Sequence, residues 1–167
     1  GYSRAYPHQT DPNQHHRRSM YSFWKRTVTP PSVATFDAPS REYCVVRRSR
    51  TNTPLQAFVM LHDPQFVEAA RHLAARMITE GGSTTTEQIV YGFRLCTSRQ
   101  PTPQELSILE NMFNKKRREY AKDQEAIESL FSIGFTPTDP ELNRVRVAAM
   151  TQVARMLLNL SEFVTKG

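Results

Sequence analysis

Cysteine is scarce in this chain: its 167 residues include only two, Cys44 and Cys96. Two thiols so far apart form neither a Cys-x-x-Cys redox pair nor a haem-attachment motif, and they exclude a disulfide-stapled scaffold. A single bridge stays open for an exported protein. Cys96, however, shares a helical face with Ile89 and Phe93, which favours a buried thiol. Glycine is sparse too, with six residues and no phosphate-cradling loop among them. A nucleophile elbow and a His-Glu-x-x-His pair are absent, so the common hydrolase and metalloprotease signatures are missing. No apolar run reaches the length of about 18 residues that a membrane-spanning helix needs. The start, Gly1-Tyr2-Ser3-Arg4, leads into no apolar stretch and does not read as a secretory leader. A fragment of a longer protein could begin this way.

Acidic residues are nearly missing from the first third of the chain. Residues 1–50 hold nine Lys/Arg against three Asp/Glu, whereas residues 51–167 hold thirteen of each. The whole net charge of +6 therefore sits in the leading segment. Such an arm suits an anionic partner, whether nucleic acid, acidic glycan, phosphate or an acidic protein face. It suits equally an arm that is simply packed on a neighbouring surface.

The segment 1–52 reads as a basic extended arm punctuated by proline. Ser19–Val28 is aromatic and partly β-branched. Helix and strand both fit it, and the Thr27-Val28-Thr29 tail favours a short strand. Glu42–Arg47 is a second strand candidate that could pair with it as a two-stranded ribbon. Pro30-Pro31 ends the first candidate, and Phe36-Asp37-Ala38-Pro39 reads as a turn. Tyr21, Phe23 and Trp24 interleave with Arg17, Arg18, Lys25 and Arg26, a pattern used by single-stranded nucleic-acid grooves. No recognition motif accompanies it, so nucleic acid is not the expected partner. His8, His15 and His16 lack companions at ligand spacing, and no metal site is expected.

Residues 53–167 read as a helical body, making the chain one mainly α domain of about six helices. Four helix starts pair an oxygen-bearing residue with proline: Thr53-Pro54, Asp63-Pro64, Thr102-Pro103 and Asp139-Pro140. Thr53 with Gln56, Thr84 with Glu87 and Thr102 with Glu105 form capping boxes. The spacing predicts a helix over about 54–61, another after the Asp63-Pro64 restart that Gly81-Gly82 terminates, and others over about 85–98, 103–121, 123–133 and 140–161. The first carries Leu55, Phe58, Val59 and Leu61, and the second an apolar stripe from Phe66 to Ile78. Gly81-Gly82 and Gly134 serve as stops. The last helix is the most apolar and is expected at the centre, with its tail docking through Phe163. The run Lys115-Lys116-Arg117-Arg118 fits a solvated face near a helix C-terminus. His62-Asp63 resembles an acid–base pair, but capping explains Asp63 in full. Asp37 better suits a buried ion pair than a catalytic base.

Several motifs occur in order: His15-His16-Arg17-Arg18-Ser19-Met20-Tyr21, Phe36-Asp37-Ala38-Pro39, Cys44 with Arg47-Arg48, Thr51-Asn52-Thr53-Pro54-Leu55-Gln56-Ala57 and Leu61-His62-Asp63-Pro64-Gln65-Phe66-Val67. Ser98–Leu106 and Leu158–Phe163 complete the set. Together they closely resemble the C-terminal domain of unknown function found in large exported proteins of planctomycetes and related bacteria. In that family it follows another uncharacterised domain and often a cytochrome-c-like one. His62 departs from the pattern, where the family usually has asparagine. The resemblance implies export, a multidomain parent and a haem in a neighbouring domain; it implies no reaction and no cofactor within this chain.

Three functions remain in competition. The leading one is a non-catalytic module that packs against other domains of its parent. Here Arg17, Arg18, Arg47 and Arg48 would hold Asp37 and backbone carbonyls, because a planar guanidinium serves several acceptors. The second is a module that binds an acidic or sulfated glycan through the same arginines, with Asp37 and Gln56 beside them. The third is a hydrolase or redox enzyme completed by other domains, which requires a pocket joining Asp37, His62 and the arginines.

Overall fold

A computed structural model describes residues 11, 21, 23–25, 29–39, 43–47 and 51–165. The chain divides into two compact units, residues 1–59 and 60–167. Among the described residues the regular elements are eight helices, and no β-strand runs through them. This is the mainly α fold that the apolar spacing predicts.

In the first unit a five-residue helix, α1 (Pro31–Thr35), stands where the double proline was expected only to break the chain. Pro31 occupies the first turn, where its missing N–H costs no hydrogen bond. The helix closes with a Schellman arrangement: the Ala38 amide donates to Val33 O and the Asp37 amide to Ala34 O, both at 3.2 Å. Asp37 takes the left-handed position, at φ 59°. That site favours glycine, but aspartate tolerates it better than most residues do. The expected strand over 42–47 is described only from Tyr43 to Arg47, which is bent, exposed chain. Most of the other strand candidate, 19–28, lies outside the described residues.

Helix α2 (Pro54–His62) crosses the boundary between the units. Its apolar residues face inward only in part, with Met60 buried and Val59 and Leu61 half-buried. Leu55 and Phe58 are 59% and 58% exposed, while Gln56 and Met60 are buried. Gln56 turns inward because its amide has specific hydrogen-bond work to do, described below.

The second unit is a bundle of α3 (Pro64–Glu80), α4 (Thr85–Thr97), α5 (Pro103–Tyr120), α6 (Gln124–Phe131) and α7 (Arg144–Leu158), followed by the short α8 (Ser161–Val164). The starts follow local chemistry. Asp63 caps α3 by accepting from Gln65 N at 2.9 Å. Thr84 with Glu87, and Thr102 with Glu105, make reciprocal capping boxes. Asp123 caps α6. At the end of α3 it is Gly82 that turns left-handed, at φ 103°; Gly81 does not.

Asp139-Pro140 is the exception among the four expected starts. Asp139 accepts from Glu141 N at 2.9 Å, but the chain makes a turn, and α7 begins only at Arg144, capped by Asn143. The helix ends at Leu158, so the expected span of 140–161 is too long at both ends. The tail is not docked by Phe163, which is exposed; Leu160 packs on the core instead.

α7 sits at the centre, as its composition suggests. Val147 to Thr151, Val153, Ala154 and Leu157 are all buried. Ala70, Ala74 and Met77 of α3, Ile89 and Phe93 of α4, and Leu109 and Phe113 of α5 close around one side. Val67 of α3 with Ile127 and Leu130 of α6 closes around Ala148 on another. Small residues on both α3 and α7 let these two helices make the most extensive contact in the bundle.

Removing the Leu157 side chain should therefore leave a cavity and cost about 2–5 kcal/mol. Leu55→Ala, on the exposed face of α2, should stay within about 0.5 kcal/mol of wild type. Urea denaturation of both variants checks the pair.

Candidate functional site

The six sequence-derived site residues fare differently. Arg17, Arg18 and Arg48 lie outside the described residues. Arg47 is exposed. Asp37 and Gln56 do come together, through Thr51. Thr51 donates its amide to Asp37 Oδ2 at 2.7 Å and its hydroxyl to Asp37 Oδ1 at 2.8 Å. The same hydroxyl accepts from Gln56 Nε2 at 3.0 Å, and that amide also donates to Thr35 O at 2.8 Å. Gln56 Oε1 accepts from Thr53 N at 2.9 Å, completing a cap in which Gln56 N donates to Thr53 Oγ1. Gln56 is 2% exposed, and these bonds satisfy its side chain on both ends. Among the described residues the partner of Asp37 is a threonine rather than an arginine. The cluster joins the end of α1 to the start of α2.

The most deeply withdrawn charges were not anticipated. Glu68 and Arg71, one turn apart on α3, are 1% and 2% exposed. Glu68 Oε1 accepts from Phe135 N at 3.1 Å and Thr136 N at 2.6 Å. Arg71 donates to Phe131 O at 3.0 Å, Leu130 O at 3.3 Å and Thr136 O at 2.8 Å. Its guanidinium also lies 5.7 Å from the Phe131 ring centre. A cation is thus placed on the free carbonyls that end α6, and an anion on amides of the loop beyond. Burial lowers the Arg71 pKa, and nearby Glu68 opposes that shift. Gly134, at φ 88°, lets the loop pass this carboxylate; a Cβ there would lie 2.5 Å from the Glu68 carboxyl carbon.

A second unanticipated centre is Arg99, between α4 and α5. It pairs with Glu105 at 2.7 and 2.9 Å and with Glu162 at 3.0 Å through two nitrogens. Its guanidinium lies 4.8 Å from the Phe93 ring centre. This pairing ties α8 to the bundle together with Leu160, which packs on the core. Arg99, with the Thr102 amide after it, holds the Glu105 carboxyl down to about 2, against an ordinary 4.5. A third centre is Gln88, which is buried. It donates to Ile78 O and Gly82 O and accepts from Arg146 at 2.9 Å.

Among the described residues, two clefts larger than a shallow depression open in the second unit. One, of about 640 Å³, lies along α4 and is lined by Gly81, Glu87, Val90, Tyr91, Arg94, Leu95 and Ser98. Its Glu87 is engaged in capping, and its Tyr91 donates to Glu80, which also pairs with Arg76. The other, of about 500 Å³, is lined by Leu61, His62, Met112, Gln152, Arg155, Met156, Asn159 and Leu160. Arg155 there donates to Leu61 O and, at 2.9 Å, to Gln152, whose amide donates to the Tyr120 hydroxyl at 2.7 Å. His62 lines this cleft, and Asp63 accepts from Gln65 N through its carboxylate, as a helix cap does. Among the described residues no three His, Cys, Asp or Glu side chains are grouped to hold a metal. Cys44 and Cys96 are both free, and the half-buried Cys96 thiol is pushed up to about 11 by desolvation.

The features above define a mainly α protein in which, among the described residues, the buried Glu68 and Arg71 bond to backbone groups of the chain itself. The chain belongs to the PSD1 family, a protein of unknown function (DUF1553), whose model matches residues 2–113. The match ends within α5, so the central helix α7 lies beyond it. No curated protein and no solved structure matches the chain.

Two outcomes follow from these centres. Glu68→Gln or Arg71→Met leaves the other partner's buried groups poorly matched and should lower the melting midpoint by on the order of 10 °C. Because the folded Glu105 carboxyl is held down, its stabilisation is full above about 4.5 and fades as pH falls towards about 2. Thermal melts between these pH values should therefore fall more steeply for wild type than for Glu105→Gln.

Proposed function

We propose that this chain is a non-catalytic packing and interaction module within a larger exported bacterial protein. The observation that carries the reading is the placement of Glu68 and Arg71. In an enzyme, perturbed and buried charges tend to converge on a cleft that substrate can enter. Here both side chains close a loop of their own chain, and neither lines either cleft. The Asp37–Thr51–Gln56 cluster behaves in the same way. The resemblance of the ordered motifs to planctomycete exported proteins supports placing the module beside other domains, including one that carries haem. Electron transfer would then belong to that neighbour.

In the full-length parent, any turnover should survive Glu68→Gln at temperatures where the variant is folded. Lost turnover under those conditions would make Glu68 catalytic and overturn the reading. For the arm, Arg48→Ala should lower the melting temperature while retention on heparin stays unchanged. Unchanged melting with lost retention would assign the arginines to an anionic ligand instead.

A further inference from the structure

The cleft of about 500 Å³ is walled by three helices. Leu61 comes from the end of α2, Met112 from α5 and Met156 from α7, and Leu160 closes it just past α7. Its volume falls within the range of small-molecule sites, roughly 300–1,000 Å³. Two of its four apolar side chains are methionines, which adapt to ligands of varied shape. Met156 is 38% exposed, so part of this apolar wall is open to water. No Asp or Glu is among the described residues that line it.

At the polar end lies Arg155, which is half-buried. A guanidinium carries five N–H donors in a planar fork. Two of those of Arg155 are engaged, both with neutral acceptors, Leu61 O and Gln152 Oε1. Its Nε is withdrawn from solvent without an acceptor, and among the described residues no carboxylate pairs with the group. The C-terminal ends of α2 and α7 explain why a cation is favoured here, and they account for the bond to Leu61 O. They do not fill the fork, whose geometry suits a carboxylate held through two N–H groups. Arg99 and Arg144 show the filled state in this same chain, each meeting a glutamate through two nitrogens. Arg155 has the same fork, partly desolvated, beside an uncovered apolar hollow. A carboxylate and an apolar body are therefore the two parts of one missing occupant. A second charge on that body would be buried against methionine and leucine without a partner, which is costly. We propose that this cleft binds a small monocarboxylate with an apolar tail, the carboxylate on Arg155 and the tail between Met112 and Met156. Such a site uses neither Glu68 nor Arg71 and adds a ligand to the packing module proposed above.

The test uses the full chain carrying ¹³C-labelled methionine methyls, titrated with sodium octanoate and followed by NMR. The Met112 and Met156 signals should shift together and saturably, while those of Met77 and Met150, fully buried in the core, stay in place. Octanoate should bind about tenfold or more tightly than octan-1-ol, which has the same tail and no charge. Arg155→Met should erase that preference, and Arg155→Lys should keep octanoate ahead. Should Arg155→Met fail to fold, Met156→Glu replaces it: a carboxylate on the cleft wall should weaken octanoate about tenfold and leave octanol nearly unchanged. Unmoved Met112 and Met156 signals, equal affinity for the two probes, or an undiminished preference in the Arg155→Met or Met156→Glu variant each overturn the proposal. Shifts spread over all six methionines overturn it too, since octanoate would then act on the whole fold rather than in the cleft.

Discussion

The second unit depends on keeping α7 out of water on nearly every side. A helix with that much apolar surface must be surrounded, and α3, α4, α5 and α6 surround it. The difficulty lies in the return path. Between α6 and α7 the chain runs through an irregular stretch whose backbone groups need partners where water is partly excluded. Glu68 and Arg71 supply both signs from one turn of α3. The carboxylate takes amides, and the guanidinium takes carbonyls. The pair is therefore less a salt bridge than a polar template for a loop, and its cost of desolvation is offset by several charge-assisted bonds.

The same logic recurs at smaller scale. Arg99 serves two glutamates and an aromatic face at the α4–α5 junction, so one side chain orients a helix start and anchors α8. Gln88 binds the end of α3 from within α4 and is itself held by Arg146 of α7. In the first unit Gln56 and Asp37 do comparable work through Thr51. In both units, these polar residues hold junctions between elements together.

How much of this was legible in the sequence depends on range. Caps and apolar stripes are local, so the starts at Pro64, Thr85 and Pro103 and the centrality of α7 follow from residues a few places apart. Asp139-Pro140 shows where locality fails: Asp63 and Asp139 make the same bond to the amide two residues on, yet only the first opens a helix. Asn143 supplies the competing cap, accepting from Arg146 N at 3.0 Å. Glu68 and Arg71 flank the apolar stripe of α3 and look solvent-facing, because the segment that covers them is more than sixty residues away. On α2, hydrophobicity pointed to Leu55 and Phe58, but hydrogen bonding drew Gln56 inside. Of the site residues, Asp37 and Gln56 could be found from their capping and turn chemistry; Arg99 could not, since both its glutamate partners lie on other elements.

Amide hydrogen exchange in the wild-type protein tests the central claim most directly, namely that Glu68 and Arg71 lock the α6–α7 loop into the folded core. The Phe135 and Thr136 amides, which donate to Glu68, should exchange as slowly as those in the middle of α7, by global unfolding alone. Exchange of these two amides at the rate of an open loop, with α7 still protected, would show that the buried pair does not hold the loop and would return both charges to the search for a functional site.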